Sequence, residues 1–469
     1  MPQVHSPLHL AAKHYPQQAA LYYWAQNQYH SINYQALSQA VCACAQQLTQ
    51  QGVRLGDRLG CIDNNSLELV ILYWACVDTG VIFCPLSPRF PAQQIASLSM
   101  QYGLRHSWAQ AAYQHLLPSA GLVVNFSARA ATAPQPIDHL RPCNVILTSG
   151  SSGQPKAAVH CLANHIASAQ GAREVIPIAQ GDNWLLSLPL FHIGGLAIVN
   201  RCALAGAAIT LPTAELSLAE QLQQQPLTHL SLVATQLVRL LQQDKQALRH
   251  VKALLLGGGA IAPSLLQQLA PLAINAYTSY GMTEMASQIT TGLATSKGSS
   301  GKLLNGRELT IIDHKILVKG DTLFLGYLTH DGGNNLWRPL DDQGWFDTQD
   351  LGHWDKDGDL VISGRADNMF VCGGENVQPE EIEAALKRHP DIIDAIVFPL
   401  PDSEFGFLPA AIIKGSISDV APLDDFVRQY IASFKRPRRY YPWPDIASTS
   451  LKVPRKQLIE AALARQARL

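Results

Sequence analysis

The chain has 469 residues, 47% of them hydrophobic and 15% charged, with a formal net charge of −1. That length exceeds one ordinary core and predicts at least two domains, the composition excludes disorder, and the near-neutral charge leaves no electrostatic footprint for nucleic acid. Nine scattered cysteines without a Cys-x-x-Cys pair exclude a disulfide framework or zinc knuckle and point to a reducing cytoplasm; Met1-Pro2-Gln3-Val4-His5 does not start a secretion signal.

From Tyr34 onward, helical periodicity as in Ala36 to Gln51 alternates with short apolar runs at Arg58 to Ile62, Val81 to Cys84, Gly121 to Asn125 and Val145 to Leu147. The most hydrophobic region, Leu67 to Leu86, carries Glu68, Asp78 and Gly80, charges too costly for a bilayer, so it reads as a buried helix followed by a buried strand and not as a membrane insertion. The alternation recurs at Asn183 to Leu188, Ala207 to Leu211, His229 to Leu232 and Ala253 to Leu256, and predicts an α/β protein of stacked, mostly parallel βα units. After about Leu303 shorter segments, Glu308 to Ile312, Ile316 to Val318 and Asp359 to Ser363, are separated by Asp-Gly and Gly-Gly turns and predict hairpins or a small barrel-like region. A small α+β unit follows: a helix from Gln378-Pro379-Glu380-Glu381, a strand at Ala395 to Phe398 and a last helix from Arg455. The textures meet near Gly364 to Asp367.

Several fragments carry chemistry. Leu147-Thr148-Ser149-Gly150-Ser151-Ser152-Gly153-Gln154-Pro155-Lys156 is a hydroxyl- and glycine-rich loop after an apolar strand, suited to cradle a polyphosphate such as ATP. It is not the common P-loop, because Pro155 precedes the lysine and Ala157 follows it, so no hydroxyl stands beside Lys156 to hold magnesium; alone it also fits a surface linker. His160 and His165 do not stack on one helical face and have no evident carboxylate partner, which argues against a metal pair. Gly257-Gly258-Gly259 follows a strand and precedes Pro263, a residue suited to open a helix; a flat ligand could lie there, although such turns use glycine for steric reasons too. In Tyr280-Gly281-Met282-Thr283-Glu284 a hydroxyl and a carboxylate follow a glycine turn, and Glu284 is a candidate magnesium ligand, its alternative being a solvated loop acid. Asp350 could accept both hydroxyls of a ribose or be an ordinary turn aspartate. Gly364-Arg365-Ala366-Asp367-Asn368 has the composition of a hinge, and Lys452 sits in an extended segment, Ser448 to Arg455, from which one lysine could reach a cleft.

Together and in this order the fragments resemble the adenylate-forming superfamily of acyl-CoA synthetases, adenylation domains and luciferases, from about Leu21 to the C-terminus. The resemblance implies a large N-terminal domain over residues 1–364, a hinge at 365–367 centred on Asp367, and a mobile C-terminal domain over 368–469. It implies that Thr148 to Lys156 contacts the β- and γ-phosphates, Gly257 to Gly259 lines the adenine and acyl pocket, Tyr280 and Gly281 border the nucleotide, and Thr283 with Glu284 serves phosphate and magnesium. Asp350 would bind the ribose, Arg365 would support ribose and phosphate, and Lys452 would contact acyl and phosphate oxygens during adenylation. Leu451 departs from the pattern, since the family usually has glycine before that lysine.

Lys156-Ala157-Ala158-Val159-His160, Ser168-Ala169-Gln170-Gly171 and Asn183-Trp184-Leu185-Leu186-Ser187-Leu188-Pro189-Leu190-Phe191-His192 resemble more closely the o-succinylbenzoate-CoA ligase branch of that superfamily, which serves menaquinone biosynthesis. This implies ATP, magnesium and coenzyme A as the small-molecule partners, Arg201 facing the substrate's distal carboxylate, and His192 beside the acyl pocket or the thiol tunnel. A buried guanidinium is the usual partner for a carboxylate kept away from ATP; Arg201 could instead cap a helix or pair with an internal acid, and His192 could be a core histidine. The basic run Lys435-Arg436-Pro437-Arg438-Arg439 reads as a solvated charged face, with CoA phosphates as the alternative. Another aromatic or medium-chain acid is the competing substrate, and a non-catalytic adenylate-binding homologue the competing class. A homodimer is compatible with the sequence, which does not set oligomeric state.

Overall fold

A computed structural model describes residues 3–148, 155–244, 246–257, 263–272, 274–295, 298–329, 333–372, 375–402, 405–416, 421–431, 435–445 and 455–466. Two large mixed sheets dominate the first 340 or so residues. In the seven-stranded sheet the order is 336–337, 326–328, 156–161, 142–148, 82–86, 58–62 and 106–109; in the nine-stranded sheet it is 302–303, 287–293, 275–282, 253–257, 229–233, 183–185, 208–210, 19–25 and 28–33. The inner strands that follow helices are parallel, as the βα alternation requires; antiparallel pairs close both ends of the nine-stranded sheet and one end of the seven-stranded sheet, whose other edge, 106–109, pairs parallel.

The apolar stretch Leu67 to Leu86 forms the helix Leu67–Thr79 and the strand Ile82–Leu86. Ser66 caps the helix by accepting from the Leu69 amide, and Gly80, at φ +73°, ends it in the left-handed conformation that glycine tolerates. The helix is apolar all round because it is covered all round: one core joins it to Leu59 and Phe83 of the seven-stranded sheet and to Leu21 and Trp184 of the nine-stranded sheet. Asp78 in its last turn accepts from His9 at 2.7 Å, which ties the first helix, Pro7–His14, to it. No described helix is long and apolar enough to cross a membrane.

Gly121 to Asn125, expected as a strand, runs without regular pairing. Leu122 makes one bond to the Ser107 carbonyl, while the side chains of Gln51 and Gln47 bond Val123 and Asn125. Side-chain amides satisfy the backbone there in place of a ladder.

The hairpin region after Leu303 forms an open four-stranded antiparallel sheet, ordered 307–312, 315–320, 346–354 and 360–365. Beyond it, helix Pro379–Leu386 and the strands Ile392–Asp402 and Gly406–Gly415 build a separate small core around Val377, Ile382 and Val397. Helix Arg455–Gln466 packs on the other face of these strands through Leu458 and Ala462. The chain thus has the α/β architecture of a large mixed-sheet portion and a smaller α+β portion.

Candidate active site

Strands Asn275–Met282 and Ser287–Leu293 form a hairpin of the nine-stranded sheet, and its tip is the single turn Thr283–Met285. Gly281 lies in the strand, at a register shift after Tyr280, and not in a turn; a Cβ there would sit 2.0 Å from the Ser287 carbonyl oxygen. Ala286 at φ +49° and Ser287 at φ +112° hold conformations that side-chain-bearing residues seldom adopt, so backbone strain is concentrated at this tip. Glu284 is only 7% exposed, which excludes the solvated loop acid. The Tyr327 hydroxyl donates to its Oε1 at 2.5 Å, whereas Oε2 and the Thr283 hydroxyl have no hydrogen bond among the described residues. A half-engaged buried carboxylate beside a free hydroxyl is an all-oxygen donor set that suits a hard divalent cation.

Lys156 opens the strand Lys156–Cys161 opposite Thr148. Its ammonium stands 5.2 Å from the Tyr327 ring centre and 5.4 Å from that of Trp337, held against two aromatic rings. Tyr327, on the neighbouring strand Gly326–Leu328, joins the two charged groups. Sequence reading missed it, because a lone tyrosine in an apolar run carries no signal of its partner. Ser149, Gly150, Ser151, Ser152, Gly153, Gly258, Gly259 and Lys452 lie outside the described residues. Gly257 ends the strand Ala253–Gly257, and no described atom lies within 4 Å of where its Cβ would be.

Asp350 belongs to the strand Phe346–Trp354, not to a turn, and follows Gln349 at φ +61°. Tyr280 donates to its Oδ2 at 2.6 Å and Arg365 to its Oδ1 at 3.0 Å, across the pairing of Asp350 with Arg365 in the next strand. Burial, and after it the Asp350 charge, raises the Tyr280 phenol well above its usual range, so it stays a donor. Arg365 also reaches both oxygens of Asp367, at 2.9 and 3.3 Å. One guanidinium therefore spans the two acids assigned to ribose and hinge.

Arg201 lies inside the helix Ile193–Ala205, 4% exposed, and caps nothing. It donates to Gln288 Oε1 at 2.5 Å and to Ser287 Oγ at 3.5 Å, stands 5.5 Å from the Trp184 ring centre, and leaves Nε buried without a partner. No described acid pairs with it. Arg307, 5% exposed, spends its donors on carbonyls of Gln288, Ala167, Asn305 and Ser168. Burial lowers both guanidinium pKa values to about 10, and the Arg201 charge adds to the effect on Arg307, yet both remain cations at neutral pH. The Glu174 charge acts on Arg307, but Arg201 has no acid partner among the described residues, and a buried guanidinium of that kind makes a receptor for an anion. His192 caps the far end of the same helix, half-buried, its ring 4.9 Å from that of Phe191. Nine residues of helix, about 13 Å of axis, separate it from Arg201, so these two are not brought together. In the basic run, Lys435 pairs with Glu381 and Arg436 with Asp424, as a charged face would.

His160 and His165 are fully buried with ring centres 5.5 Å apart, and both hydrogen-bond with Asn144. Burial lowers the His160 pKa to about 4 and that of His165 well below its usual value. The unfolded chain, with an ordinary value of 6.5, binds the proton that the folded one refuses; stability is full above pH 6.5 and is lost as pH falls toward 4. His160 alone should cost about 3 kcal/mol across that window. Urea unfolding at pH 7 and 5 should show a smaller drop in His160→Gln than in the unsubstituted protein; parallel drops would contradict the assignment.

The two sheets, the strained hairpin tip and the Asp350–Arg365 pair on the third sheet are features that fit a nucleotide-activating enzyme. The AMP-binding enzyme family matches residues 8–328, and the AMP-binding enzyme C-terminal domain matches 381–451. The 2-succinylbenzoate–CoA ligase of Haemophilus influenzae is 36% identical over 431 residues, 88% of this chain and 89% of that one. The o-succinylbenzoate CoA synthetase of Bacillus subtilis superposes with a TM-score of 0.86 in complex with the acyl-adenylate intermediate OSB-AMP, at 26% identity and 98% of each chain. The same enzyme in complex with ATP and magnesium ion gives 0.85, at 26% identity, covering 98% of this chain and 100% of that one. The chain belongs to the AMP-binding enzymes and, within them, to the 2-succinylbenzoate–CoA ligases.

Proposed function

We propose that this protein activates 2-succinylbenzoate with ATP and transfers the acyl group to coenzyme A, releasing AMP and pyrophosphate. The observation that carries the choice of acid is Arg201, a buried guanidinium with no acid partner among the described residues, bonded to Ser287 and Gln288 on the strand that leaves the Glu284 turn. A dicarboxylic substrate would seat one carboxylate on Arg201 and present the other to ATP.

That second carboxylate attacks the α-phosphorus and pyrophosphate leaves, a step needing alignment and charge neutralisation but no general base. Thr148, Lys156 and the loop between them hold the departing phosphates, Asp350 and Arg365 hold the ribose, and Lys452 meets the charge that builds on acyl and phosphate oxygens. Glu284 and Thr283 fit a magnesium ion, which when bound supplies charge neutralisation at the phosphates. The thiol of coenzyme A then displaces AMP. Rotation of residues 368–469 about Asp367 would withdraw Lys452 and bring the Gly373-Gly374-Glu375 segment to the cleft between the half-reactions. Nine buried cysteines, none of them in a disulfide, support a reducing, cytoplasmic setting.

Pyrophosphate release measured with a panel of acids tests the substrate: 2-succinylbenzoate should turn over at least about 100-fold more efficiently than benzoate, the scale expected when a buried charge partner is left empty. Equal efficiency would overturn the assignment.

A further inference from the structure

His160 is 0% exposed and lies on the strand Lys156–Cys161 of the seven-stranded sheet, yet its Nε2 is 2.7 Å from the carbonyl oxygen of Thr283, at the hairpin tip of the other sheet. A carbonyl only accepts, so Nε2 carries the proton and Nδ1 is an acceptor. Asn144 supplies the matching donor through Nδ2, at 3.3 Å, and its Oδ1 then accepts from His165 Nε2 at 2.6 Å. The result is a directed chain, His165 to Asn144 to His160 to Thr283, in which every hydrogen is assigned by its neighbour. At its start, His165 Nδ1 is buried without a partner among the described residues.

The chain is aimed at one backbone group. The Thr283 carbonyl already accepts from the Ala286 amide, the bond that closes the turn, and His160 supplies a second donor from the opposite sheet. Tyr327, on the strand next to that of His160, holds the Glu284 carboxylate. The carbonyl of one residue and the carboxylate of the next are thus each fixed by a side chain of the sheet that carries Lys156. A purely space-filling role would be served by an apolar side chain at lower desolvation cost.

We propose that His160 is a positioning residue for cation-dependent nucleotide binding, orienting the Thr283–Glu284 turn so that the Thr283 hydroxyl and the Glu284 carboxylate face a magnesium-bound triphosphate. This rests on Glu284 being the magnesium ligand. Removing the donor leaves the turn closed by Ala286 alone and free to rotate Glu284 about the Tyr327 bond.

The test is equilibrium binding of ATP to the full-length protein by calorimetry, once with magnesium and once with EDTA, together with thermal unfolding. In His160→Leu the affinity gained from magnesium should fall about tenfold, while magnesium-free ATP affinity stays unchanged. His160→Gln, whose amide can donate to the same carbonyl, should keep the gain. Glu284→Gln should abolish the gain; if it does not, the reading of Glu284 fails and takes the proposal with it. If Glu284→Gln abolishes the gain and a natively folded His160→Leu retains it, Glu284 stands and the role of His160 is overturned. An equal loss with and without magnesium would also overturn it, as a packing defect. Should His160→Leu not fold, His160→Asn, too short to reach Thr283, takes its place with the same expected outcomes.

Discussion

Lys452→Ala should lower the rate of adenylate formation by about 100- to 1,000-fold, the scale of one electrostatic stabiliser of a developing charge, and leave thioester formation from supplied acyl-adenylate within about threefold. The argument is one of timing. Negative charge builds at the α-phosphorus only in the first half-reaction, and on the proposed domain rotation Lys452 would be present for that step alone. The described chain resumes three residues later at Arg455, which donates to Glu383 and to the Val397 carbonyl, both at 2.5 Å. Glu383 is itself 7% exposed and accepts from the Val397 amide, so the end of the lysine segment is fastened to the core of the small portion and must move with it. Rapid-quench measurement of each half-reaction separates the two rates. Equal loss in both would contradict the assignment.

Arg201→Ala should lower kcat/KM for 2-succinylbenzoate by about 100- to 1,000-fold, mostly through KM, and change turnover of benzoate by less than about threefold. Loss of a buried guanidinium from its carboxylate typically costs about 2–5 kcal/mol. Ordinarily such a truncation also destabilises the fold by stranding an anion, but no described acid faces Arg201, and Gln288 keeps its bond to Thr291. The melting temperature should therefore hold. Arg201→Lys should recover only part of the loss, because an ammonium lacks the planar fork that meets both carboxylate oxygens. Steady-state kinetics with the two acids decides it; a parallel fall for benzoate would point to a collapsed pocket.

Strong local patterns translated into elements. Ser66 and Gly80 bracket the helix Leu67–Thr79, and Pro263, Pro379 and Arg455 each open a helix where the sequence suggests one. Gly121 to Asn125 did not, because an apolar run becomes a strand only if a neighbour offers an unpaired edge; here the side chains of Gln47 and Gln51 took its backbone groups.

The residue order by itself determined the βα alternation, the change of texture near Gly364 and the candidates Lys156, Glu284, Asp350 and Arg365, since periodicity, turn chemistry and motif spacing are local properties of a chain, while Arg201 came from the family resemblance alone. Tertiary structure decided which of these meet. It placed Asp350 and Arg365 opposite each other on adjacent strands, buried Glu284 under Tyr327, left Arg201 with no acid among the described residues, and set His160 beneath Thr283, 123 positions further on. A hydrogen-bond partner that far away leaves no periodicity or spacing to read, because the contact exists only once two sheets have packed.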